Sequence, residues 1–381
     1  MDSGADRYYS DVLESLAAGG NLRSIPADRQ GRGVIDLSTN DYLGYGSLTL
    51  SDFADSHPEL LSTLMTSSAS RLLASAQREY EGLEHTLETL YPGKRVLLFN
   101  SGYHANAGIL GAVADRSSIV LADKLVHASI IDGIMLSRAK MIRFAHNDFS
   151  ELRRLLTQYH PTGKIIWVVV ESVYSMDGDS ADIEALIELK REFPGIHLYV
   201  DEAHAFGVCG SHGAGFVAQT QHPEMVDVTV ATLGKALASY GAFAVVSPRL
   251  REFLLNRARS FIFSTSLSPL QVRWSQLMVE RMADDDVARA RLQQLATQLS
   301  DILGEFGQTP VASHIQPLMI GDARRAVELS ARLAEHDIIV LPIRTPTVPA
   351  GTERLRFSLN AAIKPEQLDY LKTVLKQCVG N

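Results

Sequence analysis

His197-Leu198-Tyr199-Val200-Asp201-Glu202-Ala203-His204 decides how the chain is read. A run of strand-forming residues ends on a carboxylate, and burying a carboxylate is expensive unless a cation or hydrogen-bond donors meet it. Working outward, from about residue 95 short apolar runs alternate with helical stretches. Strands are predicted at 96–99, 119–121, 165–170, 197–201 and 226–232, with helices from about Asn106 and over 127–137 and 183–193. Runs that are apolar on both faces and alternate with helices predict an α/β fold with a mostly parallel sheet flanked by helices. Ligands of such sheets sit at the carboxyl ends of the strands. A charged helical stretch over 284–303 leads into shorter strands at 315–320, 338–341 and 355–359, the texture of a smaller α+β domain.

The composition excludes several classes. The 381 residues are 46% apolar and 21% charged, enough for a large core in two or three domains. The net charge of −8 argues against non-specific nucleic-acid binding, which needs a basic surface. Two cysteines, Cys209 and Cys378, stand far apart and without metal-ligand spacing, so neither a disulfide framework nor a metal site is expected, and a cytoplasmic setting is. Met1-Asp2-Ser3-Gly4-Ala5-Asp6 lacks the pattern of a signal peptide, and the most apolar run, 165–170, is too short to span a membrane.

Four elements carry chemistry. Asn100-Ser101-Gly102-Tyr103-His104-Ala105-Asn106 lies between a strand and a helix, where free N–H groups and the helix dipole favour an anion, although an ordinary strand–helix turn reads the same way. Asp123-Lys124-Leu125-Val126-His127-Ala128-Ser129 sets an imidazole just past a strand end, fit to stack on a planar ring or to cap the next helix. Asp201 suits a protonated pyridine nitrogen, whose ring then accepts electrons from a substrate carbanion, and His204 stands three residues on. A strand-end Asp capping a helix is its plainer alternative. Thr232-Leu233-Gly234-Lys235-Ala236-Leu237 places a lysine among small and apolar residues, a candidate for imine chemistry or a surface lysine in a loop. Each is weak alone; the order of all four at strand ends is what carries the argument.

In that order, and with Glu171-Ser172-Val173-Tyr174-Ser175-Met176-Asp177-Gly178-Asp179 between them, these segments resemble the α-oxoamine synthases. The resemblance runs from Ser38-Thr39-Asn40-Asp41-Tyr42-Leu43-Gly44 to Arg354-Leu355-Arg356-Phe357-Ser358-Leu359. It implies the fold-type I, aspartate-aminotransferase-like architecture of pyridoxal 5'-phosphate transferases. The chain then divides into an N-terminal segment (1–45) packing with the small domain, a large cofactor-binding domain (46–275) and a small C-terminal domain (276–381). Implied roles follow by position. Lys235 forms the Schiff base and later moves the α-proton, Asp201 pairs with the pyridine nitrogen, His204 meets the phenolic oxygen and His127 stacks on the ring. Ser101, Gly102, Tyr103 and Thr232 hold the phosphate, and Ser175 lies beside the cofactor. Thr265, in Phe263-Ser264-Thr265-Ser266-Leu267, reaches the phosphate of a neighbouring subunit, which makes the protein a homodimer with shared active sites. Asn40 and Arg356 hold the substrate carboxylate.

The family reaction joins an amino acid to an acyl thioester with loss of carbon dioxide. Ser313-His314-Ile315-Gln316-Pro317-Leu318 and Ile343-Arg344-Thr345-Pro346-Thr347-Val348-Pro349 resemble the branch that uses L-alanine and a pimeloyl thioester in biotin synthesis. Arg23 and Thr347 match its acyl-substrate contacts, and the acyl group arrives on coenzyme A or an acyl carrier protein. Glycine- or serine-using members, of the 2-amino-3-ketobutyrate CoA ligase or serine palmitoyltransferase kind, are the alternative. Three departures bear on the acyl substrate. Thr66-Ser67-Ser68-Ala69-Ser70-Arg71-Leu72-Leu73-Ala74-Ser75 replaces a glycine-rich stretch, Ala238-Ser239-Tyr240-Gly241-Ala242 replaces glycines after Lys235, and Gly213-Ala214-Gly215 replaces Gly-Arg-Gly. A helicase, suggested by Asp-Glu-Ala-His, fails because none of Gly93-Lys94, Gly163-Lys164 and Gly234-Lys235 has a phosphate-loop pattern. An aminotransferase shares the lysine and aspartate, but the Ser-Met-Asp-Gly-Asp and His-Ala-Ser segments favour condensation. A non-catalytic binding module gives no reason for Lys235, Asp201, His204 and His127 to occur together.

Overall fold

Every residue of Ile119–Asp123, Ile166–Glu171, Val228–Thr232 and Ala242–Val246 is buried, so these runs lie inside a sheet covered on both faces. The computed structural model describes residues 4–25, 33–75, 77–311 and 313–379. Met1, Asp2 and Ser3, where the reading of the N-terminus begins, lie outside the described residues, as do 26–32 of the N-terminal segment.

In chain order the elements begin with α1 (Gly4–Ala18), β1 (Ile35–Asp36), α2 (Arg78–Thr89), β2 (Arg95–Phe99), α3 (Gly102–Val113), β3 (Ile119–Asp123) and α4 (Ala128–Ser137). They continue through β4 (Lys140–Phe144), α5 (Phe149–Tyr159), β5 (Ile166–Glu171), α6 (Ile183–Glu192), β6 (His197–Asp201), β7 (Val228–Thr232) and β8 (Ala242–Val246). Then come α7 (Pro248–Arg257), α8 (Arg259–Ile262), α9 (Pro269–Asp284), α10 (Asp286–Gly304), β9 (Ile315–Met319) and α11 (Ala323–Ala334). The last are β10 (Ile338–Ile339), β11 (Leu341–Ile343), β12 (Arg354–Ser358) and α12 (Pro365–Val379). Among the described residues, no helix is long and apolar enough to cross a membrane.

Contacts divide the chain into two compact units. The larger comprises Asp41–Ser175 and Asp179–Arg289; the smaller comprises Met1–Asn40, Met176–Gly178 and Ala290–Asn381. The larger unit holds a seven-stranded sheet in the order β2-β8-β7-β6-β5-β3-β4. Strands β7, β6, β5, β3 and β4 run parallel, while β8 is antiparallel to both of its neighbours. Two antiparallel pairings restore direction, so β2 points the same way as the parallel strands and six carboxyl ends share one edge. Alternate residues feed opposite layers: Val120 and Ala122 join α3, α4, α7 and α8 on one face. Ile119 and Leu121 join α5 and α6 on the other.

The mostly parallel α/β sheet is as expected, with differences of detail. The helix expected from about Asn106 begins at Gly102, because the Ser101 hydroxyl accepts the His104 N–H at 3.2 Å and caps it there. Strands β1, β4 and β8 lie outside the strands expected from the sequence. The single strand expected at 338–341 is two: β10 pairs with β1 and β11 with β12, the chain crossing between sheets at Val340.

The smaller unit builds an antiparallel sheet, β11-β12-β9, beside the parallel β1-β10 pair. Arg354, buried in β12, is ion-paired with Asp177. Gly178 has a φ of +73°, and a Cβ there would lie 1.9 Å from the Ile315 carbonyl oxygen, so this position admits only glycine.

In the larger unit, His146 bridges two carboxylates, Nδ1 lying 3.0 Å from Asp123 and Nε2 2.7 Å from Asp179, with Tyr174 edge-on at 4.3 Å. Burial opposes a proton on the ring, but the hydrogen bonds and charges of Asp123 and Asp179 override it and push the pKa up from 6.5 to about 10. The resulting stabilisation is whole below 6.5 and is lost as pH rises through about 10. We predict that His146→Gln lowers unfolding free energy by roughly 2–3 kcal/mol at pH 6–7, allowing for partial solvent screening. The deficit should shrink as denaturant melts are taken to pH 10; a pH-independent deficit would assign His146 a packing role only.

Candidate active site

The shared direction of β2, β3, β5, β6 and β7 brings five loops to one edge of the large sheet. There stand Ser101, Gly102 and Tyr103 after β2, His127 after β3, Ser175 after β5, Asp201 and His204 at the end of β6, and Thr232 and Lys235 at the end of β7. Segments far apart in sequence thus converge because every crossover returns the chain to the same side.

Asp201 forms the floor. It is 4% exposed, its Oδ2 accepts the Asn106 side-chain N–H at 2.7 Å, and its Oδ1 accepts the Ala203 backbone N–H at 2.9 Å. Asn106 is held in turn: its Oδ1 accepts the Tyr199 hydroxyl at 2.6 Å, and its Nδ2 donates to Ser129 Oγ at 2.9 Å. Ser129 Oγ lies 2.7 Å from His127 Nδ1. His127 is also the N-cap of α4, its Nδ1 accepting the Ser129 backbone N–H at 3.2 Å, as the plainer of its two sequence readings expects. Burial lowers its pKa, and the neighbouring charges of Asp201 and Lys235 act in opposite directions. Glu171 stands opposite Asp201 in the β5–β6 register and accepts the His127 N–H at 2.5 Å. Its burial first, and the Asp201 charge second, push its carboxyl well above the usual range.

Lys235 is half-buried, and its Nζ lies 2.7 Å from His204 Nε2. The Thr232 hydroxyl donates to the Gly241 carbonyl at 3.1 Å and accepts the Gly234 N–H at 3.2 Å, pinning the loop that presents the lysine. Glu202, one residue past Asp201, has a structural task. Its Oε1 accepts the Phe216 and Val217 N–H groups at 2.7 and 3.0 Å, and burial pushes its pKa up to about 7.

The start of α3 can take an anion. First-turn N–H groups have no intrahelical acceptor, and a Cβ on Gly102 would meet nothing within 4 Å. Tyr103 is half exposed and bonded to Asp132. Thr265 is exposed, bridges Ser70 and accepts the Asn100 side-chain N–H at 2.6 Å. Ser175 is half-buried. A planar, phosphate-bearing aldehyde with a basic ring nitrogen fits this set: an anion site, a buried carboxylate and a lysine.

The smaller unit brings its own predicted residues together in pairs. Arg356, 3% exposed, donates to Asn40 Oδ1 at 3.1 Å and to Ser358 Oγ at 3.2 Å. Arg23 donates to Thr347 Oγ1 at 2.9 Å. Both line an open cavity of about 1220 Å³ with Asp36, Ser38 and Arg344. Sequence reasoning gave no role to Asn106, Glu171, Tyr199 or Tyr42. Tyr199 carried a signal, standing two residues before Asp201 and therefore on the same strand face.

Comparison with known proteins gives the site its chemistry. The family model for aminotransferase class I and II matches residues 32–375. An 8-amino-7-oxononanoate synthase of Chlorobaculum parvum is 40% identical over 91% of this chain and 90% of its own length. A serine palmitoyltransferase variant from S. paucimobilis, solved with bound PLP, superposes with a TM-score of 0.90 at 26% identity over 99% of this chain and 98% of its own. The 8-amino-7-oxononanoate synthase of Francisella tularensis gives a TM-score of 0.77 at 28% identity over 92% and 99%. The chain therefore belongs to the class I and II aminotransferase family and, within it, to the α-oxoamine synthases, as a pyridoxal-phosphate-dependent acyltransferase of the 8-amino-7-oxononanoate synthase type.

Proposed function

We propose that this enzyme condenses L-alanine with a pimeloyl thioester, releasing the thiol and carbon dioxide and forming 8-amino-7-oxononanoate for biotin synthesis. The observation that carries this reading is the 40% identity to the Chlorobaculum parvum enzyme over nearly the whole chain. In the larger unit it is joined by a lysine, a histidine and a buried aspartate on one sheet edge.

Bound pyridoxal phosphate supplies an electron sink for a carbanion at the amino acid's α-carbon. Lys235 would hold the cofactor through Nζ and would take the amino acid's α-proton at that atom. Asp201, fixed by Asn106 and Ala203, would pair with the ring nitrogen. His204 would serve the phenolic oxygen and His127 would stack on the ring. Ser101 and the N–H groups of Gly102 and Tyr103 would hold the phosphate with Thr232, Ser175 would lie beside the cofactor, and Thr265 would reach the phosphate of the second chain in a homodimer. Arg356 and Asn40 receive the amino-acid carboxylate, a guanidinium pairing with it through two parallel bonds. Arg23 and Thr347 contact the acyl substrate, carried on coenzyme A or an acyl carrier protein, in the cytoplasm. The serine palmitoyltransferase likeness favours a second reading, serine or glycine with another acyl-CoA.

Three outcomes are expected. Borohydride reduction of the holoenzyme should trap cofactor on Lys235, and Lys235→Ala should abolish the adduct; trapping at another lysine refutes the assignment. Asp201→Asn should retain cofactor yet lower α-proton exchange by on the order of a hundredfold, measured by deuterium uptake into L-alanine. Near-normal exchange would show that the charge is dispensable. Thiol release should be confined to L-alanine with the pimeloyl thioester when alanine, glycine and serine are each tried with pimeloyl, acetyl, succinyl and palmitoyl thioesters. Preference for serine with palmitoyl would replace the substrates and leave the cofactor chemistry standing.

A further inference from the structure

Tyr42 has no part in the roles above, yet it touches the site. Its side chain is fully buried and its hydroxyl lies 2.6 Å from His204 Nδ1. On the other side of the imidazole, Nε2 lies 2.7 Å from Lys235 Nζ, so three polar groups run in file into the protein. The turn that carries Tyr42 is stiff. Asp41 accepts the N–H groups of Tyr45 and Gly46, each at 2.9 Å, and the Tyr45 hydroxyl donates to Asp285 at 2.8 Å. Leu43 packs within 3.7 Å of the position a Cβ would take on Gly207, just after His204. Tyr42 is therefore presented to His204 by a prearranged backbone.

A neutral imidazole has one nitrogen that donates and one that accepts, and the partner of each fixes the role of the other. Facing the ammonium of Lys235, Nε2 must accept, so Nδ1 carries the proton and donates to the Tyr42 oxygen. Facing an oxyanion, Nε2 must donate, so Nδ1 is bare and accepts from the Tyr42 O–H. A hydroxyl serves both states by rotation, whereas a carboxylate would hold only the first.

We propose that Tyr42 is a positioning residue that holds His204 and lets it exchange tautomers as the partner of Nε2 changes from the Lys235 amine to the phenolic oxygen of the cofactor. The inference rests on the roles given to Lys235 and His204 under the proposed function. His204 gains no net proton: Nδ1 gives one up to water and Nε2 takes one from water as the cofactor enters, while the Tyr42 hydroxyl keeps its own and only rotates. Among the charged and titratable groups shown to face it are Lys235 and Tyr42; Asp201 lies three residues before it in the chain, and His127 interacts with both Asp201 and Lys235.

The test is a pH titration of the visible absorbance of the holoenzyme. Tyr42→Phe, which keeps the ring, should move the midpoint by roughly 0.5–1 pH unit, the worth of one buried hydrogen bond. It should lower kcat about tenfold with little change in KM for the amino acid. In a His204→Gln background the same substitution should cause no further shift. An unmoved midpoint, or a shift that persists without His204, overturns the proposal. ¹⁵N spectra of wild-type His204 decide the matter should Tyr42→Phe not fold: the protonated ring nitrogen should differ between cofactor-free and cofactor-bound protein, and the same nitrogen in both overturns it. Failure of the underlying reading is separate, seen as a visible band that survives Lys235→Ala.

Discussion

The end of β6 sets a problem that much of the larger unit answers. Asp201 closes a strand buried on both faces, and an ion stripped of water there is destabilising by several kcal/mol unless donors or a cation compensate it. Two donors come from the protein, and the more demanding is Asn106, since it must be aimed from another element. Its aim depends on where α3 begins, which Ser101 fixes by capping the helix. Asn106 is then oriented by Tyr199 and Ser129, and through Ser129 the bond network reaches His127. Glu171, next to Asp201 in the sheet, has its carboxyl pKa raised by burial first and by the Asp201 charge second.

What was legible in the sequence was whatever lies close together along it. Lys235, Asp201, His204 and His127 each follow an apolar run, so strand and chemistry could be read in one glance. The partners were not legible because they arrive through space: Asn106 from a helix, Tyr42 from an N-terminal turn, Glu171 from a neighbouring strand. Of the strands that escaped, β4 and β8 did so for different reasons. Strand β4, Lys-Met-Ile-Arg-Phe, is an edge strand whose charges face solvent, which breaks the apolar signature while protecting the edge. Strand β8 contains Ala242 and Ala244, poor strand formers that become strand residues by pairing on both sides.

The segments that depart from the family pattern have a backbone consequence. Ser68 and Ala238 both have positive φ, 50° and 45°, where a side chain costs about 1–2 kcal/mol that glycine would not incur. In Gly213-Ala214-Gly215 the two glycines keep the positive angles and Ala214 takes an ordinary one of −74°, so this substitution is free of strain. Gly215 has a further reason to persist, because a Cβ there would come within 2.2 Å of Glu202 Oε2.

The antiparallel insertion of β8 also governs the order in which the protein can be made. In the sheet order β2 is terminal and bonds only to β8, with Arg95 opposite Val246. A nascent chain that has emerged through Thr232 holds the five parallel strands and their crossovers, but its apolar segment 95–99 has no ladder to join. Until the next few residues leave the ribosome, that segment and the flank of β7 remain open edges of the sort that attract other chains. Closure joins 95–99 to Ala242–Val246, a long-range pairing of the kind that slows folding.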